Sequence, residues 1–371
     1  MSWEGQICAD RRQFCPDLRI LVVILSPVQS GSELVFTGPH LWSTIRIPLG
    51  RVTSFDSPNF VHDWILRSGN LPLTLRIDHE GTVSEEELEG VIDAISQCSN
   101  RWHSLSFDIL PVLLHAFHHS NIQCHLLKSL RINSVDGWRP DIQPLSNPTM
   151  SPENIEIRAL PFQSLQILWN QLASATFHAV EVEDLVQLFQ NASQMTCCHI
   201  SDPRDDGIFQ IPLITHQKLK TLSVYYAQEA ETFFGSFTLP SLQEFHADQF
   251  FFLKYLSPLV HRSSPPLGRI TFYLAPGRMG NGHLFDHLQP FPGVTDLVLE
   301  NLEERNHPAT VTILLLEGYF PDLCYFTIRL KVFLFLWDEG IIHVLLGHKL
   351  PHVDTATKGI HCKMVVIDPQ C

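Results

Sequence analysis

The chain of 371 residues contains no apolar run approaching the roughly 20 residues that a membrane-spanning helix needs. Its densest apolar segment, residues 20–25 (ILVVIL), has Asp17 and Arg19 beside it and no small-residue cleavage site after it. That segment is expected to be a buried strand, not a signal core. Charge is also scarce: charged residues make up 17% of the chain, and 25 basic against 39 acidic side chains give a formal net charge of -14. A field of that sign repels phosphate backbones, so nucleic acid is not an expected partner, and neither is a membrane. The nine cysteines are an odd number at irregular spacing, which reads as reduced thiols in a cytoplasmic or nuclear protein.

Motifs that carry chemistry are missing in the same way. There is no Gly-x-Ser-x-Gly elbow, and Gly277, Gly280 and Gly282 are not followed by the Lys-Ser/Thr of a phosphate-binding loop. Asp202, Asp205 and Asp206 lack the alternating ligands and distal glutamate of a calcium loop. His115, His118, His119, Cys124 and His125 are metal-ligand types, but no second pair stands at a spacing that closes a tetrahedral site. No cofactor, no metal and no catalytic residue is therefore expected. The twenty histidines are scattered and spell no switch.

What is present is hydrophobic content of 44%, enough for a folded core, and a repeat. Residues 218–274 hold three segments, starting at Leu219, Leu242 and Leu267, that each read apolar-x-x-apolar-x-apolar at steps of 23 and 25 residues. The same pattern begins at Trp102, Leu127, Phe162, Met195, Val294 and Leu323, with steps that stay between 23 and 29 except for 35 and 33 on either side of Phe162. Such a period belongs to leucine-rich repeats, each repeat supplying one strand of a parallel sheet and a returning crossover.

The crossovers are expected to be helical where apolar residues recur every three or four positions. Trp64 and Ile65 fall in one short helix, ahead of a strand in which Leu71, Leu73, Leu75 and Ile77 alternate. Ser84 with Glu87 forms a capping box for a helix that stops near Asn100. Val182, Leu185, Val186 and Phe189 mark another, and Phe252, Leu253, Leu256 and Leu259 a further one broken by Pro258, with a weaker face at Val311, Leu314 and Leu315. The turn position that holds Asn or Cys in standard repeats is occupied by Val135, Ala227, Ala275 and Leu302, so no amide ladder is expected. The fold class is therefore α/β, an irregular leucine-rich-repeat solenoid with a curved parallel sheet and helices on its convex side. Residues 1–60 form an N-terminal cap region and 61–371 the repeat domain.

If the apolar positions point into the core, the residues between them point to the concave face. Those include Tyr225, Glu244, His246, Arg269, Tyr273, Asp296, Tyr325 and Arg329, in which tyrosine and arginine are the types that most often anchor interfaces. A protein substrate or ligand is expected there.

The succession PHLWSTIRI (39–47), WILRSGNLPLTLRI (64–77), RWHSLSF (101–107), LPSLQEF (239–245) and HRSSPPLGRITF (261–272) resembles large fungal families of F-box proteins with degenerate leucine-rich repeats. The resemblance implies the substrate-recognition part of a cullin-RING ubiquitin ligase, a non-catalytic role. Residues 1–38 show neither the Leu-Pro opening nor the amphipathic helices of an F-box. The ligase adaptor is thus an expected partner only if an F-box is present upstream. A repeat scaffold without a role in ubiquitin transfer, and an enzyme with a dispersed site, stand as the alternatives.

Overall fold

The computed structural model describes residues 39–49, 58–79, 85–109, 122–134, 145–146, 150–204, 212–227, 230–249, 252–273, 291–300, 320–331 and 361–367. Several expectations fall outside these residues: the strand at 20–25, the cap at Ser84, the histidines at 115–119, Asp205 and Asp206, the glycine loop, the helical face at Val311 to Leu315, and the turn positions 135, 275 and 302.

The described chain is mixed α/β and dominated by one parallel sheet of thirteen strands. They are β1 (Thr44–Leu49), β2 (Leu73–His79), β3 (Trp102–Ile109), β4 (Ser129–Ser134), β5 (Asn154–Arg158), β6 (Ser174–His178) and β7 (Cys197–Ser201). β8 (Thr221–Tyr225), β9 (Glu244–Ala247), β10 (Arg269–Tyr273), β11 (Asp296–Glu300), β12 (Tyr325–Lys331) and β13 (His361–Ile367) complete it. Each strand pairs with its successor in the sequence, so the sheet order is the chain order. The helices α1 (Pro58–Arg67), α2 (Glu85–Ser96), α3 (Val182–Asn191), α4 (Ala230–Gly235) and α5 (Phe252–Ser263) lie between strands, as parallel pairing requires of a crossover.

Period two decides which side of the sheet is buried. Leu222 and Val224, Phe245 and Ala247, Ile270 and Phe272, and Leu297 and Leu299 are all at or near zero exposure and belong to one hydrophobic cluster running from Ile45 to Phe326. The helices contribute to that same cluster: Phe234 of α4 meets Phe245 of β9 edge-on with ring centroids 5.8 Å apart. The apolar side of the sheet and the apolar helix faces thus bury each other.

Two expectations are corrected. The segment Phe162 to Ile167 matches the repeat pattern but is not a strand of the large sheet: Phe162–Ser164 is a 3-10 turn, and Leu165–Gln166 pairs with Leu145–Ser146 in a separate two-stranded sheet. The sheet strands here are β5 and β6, whose patterns start at Pro152 and Leu172, so the two long steps become 25, 20 and 23 residues. Pro258 does not break its helix either, since α5 runs through it. Leu256 and Leu259 on either side of the proline are both fully buried, and that packing offsets the hydrogen bond the proline cannot make.

A main-chain device holds successive strands together. Where β5 to β12 begin, two consecutive amides donate to one carbonyl just ahead of the preceding strand, as when Thr196 N and Cys197 N both reach Ala173 O, and Lys220 N and Thr221 N both reach Thr196 O. The arrangement recurs from Glu153 and Asn154 on Lys128 O to Cys324 and Tyr325 on Thr295 O, at 2.7 to 3.1 Å. Because the amides belong to the backbone, the device does not require an Asn side chain in any repeat.

Candidate functional site

The open face of the sheet is the side opposite the cluster. In-register pairing sets its residues in rows that run across the strands. Along one row, at the strand starts, lie Glu244, Arg269, Asp296 and Tyr325; along the next, Ser223, His246, Thr271, Val298 and Thr327. The third row holds Tyr225, Tyr273, Glu300 and Arg329, with Asp248 just beyond the end of β9. All eight residues expected at a binding surface therefore lie on strands of one face, but in different rows.

Their contacts divide them further. Arg269 stands between two carboxylates, its Nη1 3.5 Å from Glu244 Oε1 and its Nη2 3.8 Å from Asp296 Oδ1, so the strand starts carry an alternating acid-base-acid ladder. At the strand ends Tyr225 and Tyr273 meet edge to face at 5.7 Å across the intervening β9, and the His246 ring stacks on Tyr273 at 6.4 Å. His246 Nε2 also lies 3.7 Å from Glu244 Oε2, which links the two groups. Tyr325 is 53% exposed. Arg329 pairs in register with Glu300 through the backbone, and its side chain is outside the described residues.

Burial sets the protonation of this face. It pushes the Tyr225 phenol well above its ordinary value, with Tyr273 adding to the effect, so the hydroxyl stays neutral. The His246 imidazole is pushed down by burial against the opposing pull of Glu244, and His199 is pushed down by burial as well. His178, whose Nδ1 is 2.6 Å from Ser201 Oγ, falls to about 4, first through burial and then through Arg158 and Arg131. All three are neutral at pH 7.

These histidines have a consequence for stability. A histidine whose folded pKa lies below that of the unfolded chain, about 6.5, binds fewer protons when folded, so stability falls as pH drops through 6.5. For His178 the loss continues to about pH 4 and then levels off. Asp184 of α3, raised by burial to about 6, works the other way and loses stability as pH rises through 6. The expected outcome is that His178→Gln loses less of its thermal midpoint than the parent chain does between pH 7.5 and pH 5. Equal losses in the two chains would remove His178 from the account.

The half of the face formed by β1 to β6 was not among the sequence expectations. There Arg46, Arg76 and Arg131 occupy the second row on β1, β2 and β4, beside a cavity of about 380 Å³. A signal was present: TIRI at 44–47, TLRI at 74–77 and SLRI at 129–132 repeat hydroxyl-apolar-Arg-Ile. It marks a row only once the strands are known to be adjacent and in register.

Other candidates dissolve into packing. Cys124 is buried and its thiol is pushed up to about 12 by burial alone, while His125 is exposed. His216 is buried with both nitrogens engaged, Nδ1 accepting from Leu219 N at 3.1 Å and Nε2 donating to Ala192 O at 3.0 Å. Among the described residues no group of three or more His, Cys, Asp or Glu is placed to hold a metal ion, and no helix is long and apolar enough to cross a membrane. No protein-family model matches the chain, and no curated protein matches it significantly.

Proposed function

We propose that this chain is a protein-binding repeat module, an irregular leucine-rich-repeat solenoid whose sheet curves with the helices on its convex side and whose concave face selects a protein. The observation that carries the reading is the open face of β8 to β12, where the Tyr225–Tyr273 pair and the exposed Tyr325 flank the ladder of Glu244, Arg269 and Asp296. Tyrosines supply large contact area at low entropic cost, and ordered charges supply specificity. Nothing in that arrangement calls for chemistry on the ligand. The role is selection, in the manner of the substrate-recognition part of an F-box receptor of a cullin-RING ubiquitin ligase, with the chain as a non-catalytic subunit in the cytoplasm or nucleus. Contact with the ligase adaptor is proposed only for a chain carrying an F-box ahead of the repeats.

The test is affinity capture with Arg269→Glu/Arg329→Glu. The variant is expected to lose partner recovery while its thermal midpoint moves by only a few degrees, because at these half-exposed positions the lost ion pairs and the like-charge contacts of Glu244 and Asp296 with the new glutamate are each worth about 1 kcal/mol or less. Unchanged recovery contradicts the reading.

A further inference from the structure

We draw no further inference here: the strongest candidate, the Ser201–His178–Glu156 side-chain cluster on the open face of β5 to β7, carries nothing because His178 Nε2 stops 4.0 Å from Glu156 Oε1, an oxygen that also lies 3.4 Å from Arg131 Nε, and nothing in the structure shows what would sit against the Ser201 hydroxyl.

Discussion

Replacing Phe237 by alanine is expected to cost about 3–5 kcal/mol, the usual range for deleting a phenyl ring from a packed core. Phe237 is 1% exposed, and its ring lies 4.6 Å from that of Phe189 on α3 and 4.9 Å from that of Phe233 on α4. Its ring packs between α3 and α4, so its removal opens a cavity at a junction. The backbone around it is held by Arg262 of α5, which donates to Phe234 O at 2.8 Å and to Phe237 O, and this restrains collapse into the void. Urea unfolding measures the cost. A loss below about 1.5 kcal/mol would mean that the site relaxes freely and that α3 and α4 are joined elsewhere.

The second large effect concerns Asp78. Arg46 and Arg76 stand directly opposite each other on adjacent strands, a like-charge pairing that destabilises a sheet by itself. Asp78, its side chain only 6% exposed, accepts from Arg76 Nε at 2.7 Å through Oδ1 and from Arg46 Nε through Oδ2, so one buried carboxylate holds both cations. Asp78→Asn removes that compensation and is expected to cost about 2–3 kcal/mol, less than breaking a fully buried pair because the arginines are half-exposed. Adding Arg46→Gln and Arg76→Gln to the same chain is expected to restore more than half of the loss. If the triple variant is no more stable than Asp78→Asn alone, repulsion between the arginines is not the source of the cost.

The strands were legible because burial on one side imposes period two, and Leu222 with Val224, or Ile270 with Phe272, writes that period into the sequence. α3 was legible for the matching reason, with Val182, Leu185, Val186 and Phe189 recurring at helical spacing and all buried. The pattern failed where a connecting segment imitated it: Phe162, Leu165 and Ile167 are buried like strand residues but serve a turn and a minor pair. β5 was concealed because its first position is Pro152, and β6 because Ala175 is a weak apolar signal.

The candidate face was legible only as a set. Alternation assigned Tyr225, Glu244, His246, Arg269, Tyr273, Asp296, Tyr325 and Arg329 to one side, but it does not specify which row each occupies or which pairs meet. That Arg269 is spanned by two carboxylates, and that Tyr225 reaches Tyr273 past β9, follows from register and from side-chain reach. The cavity beside Arg76 and Arg131 was the least legible, because it is made by the absence of bulk in one row, and absence has meaning only among known neighbours.

The most direct test of the central claim, that the open face of the sheet is the binding surface, is quantitative capture of the same partner by charge reversals on the two sides of the molecule. Arg269→Glu/Arg329→Glu alters the open face; Asp93→Lys on α2 with Lys254→Glu on α5 alters exposed helix positions. The account predicts at least tenfold lower recovery for the first variant and recovery equal to the parent chain for the second. Equal recovery by both, or loss confined to the helix-side variant, would contradict it.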